Sequence, residues 1–70
     1  MFSIIAKNDD SYIIQYYETK YFVVLGDSSE EDTATIVDES KVQNIMARGG
    51  WVTPKEKDAD VELRIHTLLN

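Results

Sequence analysis

Apolar and polar positions alternate from the start of the chain. Phe2, Ile4 and Ala6 interleave with Ser3, Ile5 and Lys7, the two-residue period of a strand. Asn8-Asp9-Asp10-Ser11 interrupts the pattern with turn chemistry, because short Asn and Asp side chains bond their own backbone and tolerate left-handed angles. Two further runs, Tyr12 to Tyr17 and Tyr21 to Leu25, are rich in the aromatic and β-branched residues that suit a pleated surface. Glu18-Thr19-Lys20 is short enough to join them as a hairpin. Residues 1–25 therefore predict a three-strand antiparallel meander.

Gly26 is expected to end the third strand, and Asp27-Ser28-Ser29-Glu30-Glu31-Asp32 reads as a polar, acidic loop. Thr33 to Val37 predicts a fourth strand. Asp38 is then placed to cap a short helix in which Val42, Ile45 and Met46 recur at i, i+3 and i+4. Arg48 falls in the last turn, and Gly49-Gly50 stops the helix. Further on, Thr53-Pro54-Lys55-Glu56 has the capping-box pattern with proline at the first helical position, which predicts a helical turn. From Val61 two patterns compete. Val61, Leu63 and Ile65 alternate with Glu62, Arg64 and His66 as in a half-buried strand; a helix would gather Val61, Ile65, Leu68 and Leu69 and leave Leu63 outside. The alternation favours a strand over residues 60–68. The sum is one small α+β domain over residues 1–70. It is a small antiparallel sheet, the N-terminal three-strand meander plus one or two further strands, packed with one or two short helices.

Register sets which residues share a face. A two-residue turn at Asp9-Asp10 and a three-residue turn at Glu18-Thr19-Lys20 put Phe2, Ile4, Ala6, Ile13, Tyr21 and Val23 on one face, the floor for the helix. The other face, with Ile5, Tyr12, Ile14, Tyr16, Phe22 and Val24, is too apolar to leave in water. Either the C-terminal segment covers it as ordinary core, or it is a self-association surface centred on Tyr12, Tyr16 and Phe22. Tyrosine suits the second role because its ring buries area while its hydroxyl keeps a hydrogen bond. Base stacking on sheet aromatics is a third use, opposed by the net charge and by the absence of a basic groove.

Composition narrows the chemistry. A 70-residue chain buries only about 60% of its unfolded surface, and domains this small often add disulfides, a metal or a second subunit. With no cysteine, disulfides, thiolate zinc sites and thiol nucleophiles are excluded. A single histidine, His66, removes two-histidine metal spacings. No GxGxxG, P-loop or nucleophile-elbow motif is present, and the 27–32 loop lacks the alternating ligands and central glycine of an EF-hand. Trp51, the one tryptophan, is expected to anchor the helix end on the core or to serve as an interface hot spot. The expectation is a chain with no catalytic residues, cofactor or metal, so not an enzyme. Self-association, most simply as a homodimer, is the remaining way to gain stability. The N-terminus lacks the basic region and apolar core of a signal peptide, and no run reaches the roughly 20 apolar residues of a membrane span, so a cytoplasmic location without membrane contact is expected.

Charge supplies the functional expectation. Asp27, Glu30, Glu31, Asp32, Asp38 and Glu39 lie between residues 21 and 40 with no Lys or Arg among them. The seven acids elsewhere meet all seven bases, so the whole net charge of −6 sits in this stretch. Such a field disfavours direct binding to a phosphate backbone and favours basic partners. The expected function is a small acidic protein-interaction module, a regulator or inhibitor of phage or antitoxin type. It would bind a basic surface of a partner such as a nucleic-acid-binding enzyme through these six carboxylates. The alternative is a self-associating structural or assembly subunit using its aromatic sheet face. In size and charge the chain is similar to small acidic phage-encoded inhibitors, some of which mimic DNA; the likeness covers those two properties and no motif.

Overall fold

The computed structural model describes residues 2–9, 11–24 and 33–69. Four strands, β1 (Phe2–Lys7), β2 (Ser11–Tyr16), β3 (Thr19–Val24) and β4 (Thr33–Val37), form one open antiparallel sheet in the order β1-β2-β3-β4. Two helices follow, α1 (Glu39–Ala47) and α2 (Ala59–Leu69). The α+β architecture, the meander and the fourth strand agree with the sequence. Asp10, the end of the third strand at Leu25 and Gly26, and the acidic loop at Asp27 to Asp32 lie outside the described residues.

The register departs from the expected one at two places. Ala6 pairs with Ile13, as a turn around Asp9 requires, and Asn8 secures that turn by accepting the Ser11 N–H on Oδ1 at 2.9 Å. A bulge at Ile5 then shifts the ladder, so that Ile4 faces Ile14 and Phe2 faces Tyr16. In the second hairpin Tyr16 pairs with Thr19, so the turn is the two residues Tyr17-Glu18 and not Glu18-Thr19-Lys20. Tyr17 takes the left-handed φ of 54° that such a tight turn demands, without the Gly or Asn that usually marks one. Because the change in register is odd, every β3 side chain moves to the face opposite to the expected one.

Two half-cores result. Ala6, Ile13 and Val42 are buried together, with Ile5, Phe22, Val37, Ile45 and Trp51 packed around them beneath α1. Ile14, Val23, Val61 and Ile65 form the other, joined by Phe2, Ile4, Tyr12, Tyr21, Leu68 and Leu69 beneath α2. Trp51 anchors the chain after α1 by meeting Phe22 edge-on, with ring centroids 5.6 Å apart. Asp38 caps α1 as expected, its Oδ1 accepting the Lys41 N–H at 2.8 Å. Gly49, at φ 87°, takes the left-handed turn that ends the helix.

The strand expected over residues 60–68 is a helix. Asp58 caps it, Oδ1 accepting the N–H groups of Asp60 at 3.1 Å and Val61 at 3.2 Å. Asp60 and Glu62 in the first turn suit the positive end of the helix dipole. The decisive factor is coverage. A fifth strand would lengthen both sheet faces and cover neither, whereas the helix lays Val61, Ile65, Leu68 and Leu69 over the bare Ile14 side. The helical turn expected at Thr53-Pro54-Lys55-Glu56 is also not formed. Val52 instead makes an antiparallel bridge to Lys7, with Lys7 N donating to Val52 O at 2.8 Å and Val52 N to Lys7 O at 2.9 Å. That bridge ties Val52 to the sheet, and Pro54 disfavours the helical conformation at Thr53 just after it.

The helix and strand readings of this segment differ at one residue. On a strand Leu63 would share the buried face with Ile65; on α2 it is 64% exposed while Ile65 is fully buried. Ile65→Ala should cost about 2–5 kcal/mol and Leu63→Ala less than about 0.5 kcal/mol, read as shifts in urea midpoint. Comparable losses at the two positions would overturn the helical assignment.

Candidate interaction surfaces

The two sets of candidate residues fall in different settings. Of the six carboxylates, Asp27, Glu30, Glu31 and Asp32 lie outside the described residues. Asp38 and Glu39 are exposed at the junction of β4 and α1. Both also have structural work: Asp38 caps α1, and Glu39 Oε1 receives Lys20 Nζ from β3 at 3.3 Å. Lys20 is half-buried and Glu39 open to solvent, so screening keeps the contribution of the pair to no more than about 1 kcal/mol.

Tyr12, Tyr16 and Phe22 do not share a face. Tyr12 is half-buried against the α2 core, and Phe22 lies on the opposite side, in the α1 core beside Trp51. Tyr16 stands at the end of the β2–β3 hairpin with two neighbours the sequence did not single out. Its ring centroid is 4.6 Å from that of Tyr17 and 5.9 Å from that of Tyr21, both at tilted angles. Tyr17 is 73% exposed in its left-handed turn position. The three phenols form a small aromatic cluster at one tip of the sheet. A two-residue turn would have predicted it, but Tyr17-Glu18 carries none of the glycine or asparagine that signals one.

The cluster's electrostatics are distinctive. The phenol of Tyr17 beside it is the main cause holding the Tyr16 hydroxyl above its ordinary pKa of 10.0, with partial burial, a hydrogen bond with Tyr17, and Tyr21 adding in the same direction. The neutral form of Tyr16 is thus favoured in the fold. Its contribution to stability is present below the unfolded value and is lost as pH rises through the higher folded one.

A groove of about 420 Å³ runs between β1 and the extended segment after Val52, lined by Phe2, Ile4, Pro54, Lys55, Lys57 and Glu62. A neighbouring trough of about 560 Å³ continues along α2 past Leu63 and His66. Both are open and bring Lys and Glu together without a single sign of charge. His66 is exposed on α2 and not on the polar side of a strand. Among the described residues no three His, Cys, Asp or Glu side chains gather as a metal site, and no helix is long and apolar enough to cross a membrane.

Comparison with protein-family models, curated proteins and solved structures finds no match to this chain. What the protein does is therefore argued from its own surfaces.

In a spectrophotometric titration, the Tyr16 hydroxyl should ionise above the ordinary tyrosine value of 10.0. Tyr17→Phe should lower its pKa, since that removes the first cause of the shift. Stability above about pH 10 should also fall more steeply in the wild type than in Tyr16→Phe. A Tyr16 that ionises at or below the ordinary value would contradict the cluster.

Proposed function

We propose that the chain is a small acidic protein-interaction module, a regulator or inhibitor that occupies a basic surface of a partner protein. The observation that carries this reading is the segregation of charge: six acids and no base between residues 21 and 40, in a chain otherwise balanced. A surface rich in Lys and Arg is what a nucleic-acid-binding enzyme presents to phosphate, and an acidic module complements it. Asp38 and Glu39, exposed where β4 meets α1, support the reading from the described part of the fold. The use of both sheet faces as core also supports it, because recognition is then left to edges and charged ends.

Affinity capture from a bacterial lysate, followed by titration of the purified captured protein, tests the proposal. Glu30, Glu31 and Asp32 changed together to Lys should weaken binding at least about tenfold. Wild-type binding should weaken as salt rises, because screening shortens to about 8 Å near physiological ionic strength. Urea midpoints of the two proteins separate lost binding from lost fold. Equal affinity of the folded variant, or indifference to salt, would overturn the reading.

A second reading, self-association, is favoured by the exposed Tyr17 packed at a tilt against Tyr16 at the hairpin tip. Aromatic residues of this kind anchor interfaces. Sedimentation velocity should then show a dimer that Tyr17→Lys dissociates; an 8.0 kDa species across the micromolar range would remove this reading.

A further inference from the structure

The two edges of the sheet are built differently. At β1 the bulge at Ile5 bends the strand, Lys7 stands at its end, and the bridge to Val52 occupies that end of the edge. These are the usual means by which a sheet edge avoids pairing with another chain. β4 has none of them. Its sequence, Thr33-Ala34-Thr35-Ile36-Val37, is uncharged, without proline, and pairs with β3 in unbroken register. Among the described residues β3 is its sole sheet partner. Thr33, Ala34, Thr35 and Ile36 are all exposed, Ile36 at 63%. A strand of such high β-propensity whose outer side has no strand partner among the described residues is a ready template for an added strand.

Charge decides which strand. Asp38 and Glu39 follow Val37 directly, and in sequence Asp32 precedes Thr33. A second copy pairing antiparallel about Thr35 would set Thr33 against Val37 and bring a second acidic chain, with its own Asp38 and Glu39, to the same edge. Two chains of net charge −6 would be joined there. A strand with an uncharged β-branched centre and Lys or Arg beyond its ends meets the opposite situation. Glu39 is already paired with Lys20, so Asp38 is the described carboxylate that such a flank would meet.

We infer that the outer edge of β4 is the docking site for an extended, basic-flanked strand of the partner, added antiparallel or parallel as a fifth strand of the sheet. This rests on the reading that the partner is basic, and it specifies how the partner is held: through backbone hydrogen bonds to Thr33–Val37, with charge at the ends.

The test uses the full chain and a synthetic peptide, Lys-Lys-Thr-Val-Thr-Val-Thr-Lys-Lys. Two further versions are N-methylated at one or the other alternate set of central amides. A fourth peptide keeps the lysines but has a Gly-Pro centre. In a strand only one set of amides points at the partner strand, so one methylated peptide should bind like the parent and the other at least about tenfold more weakly. The Gly-Pro peptide should also be at least about tenfold weaker. On binding the parent, alternate amides within Thr33–Val37 should gain protection from hydrogen exchange. Equal, salt-sensitive binding of all four peptides would overturn strand addition while leaving the basic-partner reading intact. No binding by any of them would overturn both. Protection of the β4 amides in the protein alone, rising with its concentration, would show that a second copy takes the edge and would equally overturn the inference.

Discussion

The rest of the structure depends on two adjacent residues. Ile13 and Ile14 sit side by side on β2, point to opposite faces of the sheet, and are both fully buried. A central strand buried on both sides obliges a 70-residue chain to cover both faces of a four-strand sheet with what remains after the strands. It has one helix for each. The helices sit after the sheet in sequence, so both faces are closed by the C-terminal half of the chain. Each face then depends on a few side chains: Val42 and Ile45 on one side, Val61 and Ile65 on the other. With total stability on the order of 0.1 kcal/mol per residue, loss of one such contact consumes a large share of it.

Coverage explains which parts of the fold were legible. Elements governed by local chemistry could be read directly. The meander follows from β-branched and aromatic runs, β4 from Thr33 to Val37, and α1 from the Asp38 cap and the Gly49 stop. The segment after residue 58 could not be read this way, because its alternation of Val61, Leu63 and Ile65 fits a strand as well as its spacing of Val61, Ile65 and Leu68 fits a helix. The decision came from an uncovered face elsewhere in the molecule, which is tertiary information. The faces themselves were misread for a smaller reason. Tyr17 accepts a left-handed conformation that its residue type disfavours, so the turn is one residue shorter and starts one residue earlier than its composition implies. The resulting slip carried Phe22 to the α1 side and Tyr21 to the α2 side.

The same slip reshaped the candidate site. The three aromatic residues expected to form one exposed surface were divided. Tyr12 and Phe22 went to different half-cores, and Tyr16 to a tip cluster with Tyr17 and Tyr21. The acidic stretch was legible as charge from the sequence alone, since counting signs needs no geometry. The roles of Asp38 and Glu39 in that stretch were only half legible. The cap at Asp38 follows from its position, but the pairing of Glu39 with Lys20 spans nineteen residues and depends on the β3–α1 approach.

Once both faces are consumed as core, the surfaces left to this protein are sheet edges, helix backs and ends. Their different treatment carries information. The β1 edge has a bulge, a lysine and a bridging segment, whereas β4 pairs in unbroken register and is uncharged, with acids on either side in sequence. A free edge of that kind is an aggregation hazard unless something limits what pairs with it. Lysine on the strand itself would deter every comer. In the proposed docking, acids that flank the strand in sequence would deter a second copy and admit a strand of opposite flanking charge. Charge placed beside β4 and not on it would in that case separate self-pairing from partner pairing, which a guard residue within the strand could not do. On that argument the concentration of the net charge around β4 and the bareness of its edge are one feature, and the fold's thin two-sided core explains why recognition would be moved to an edge at all.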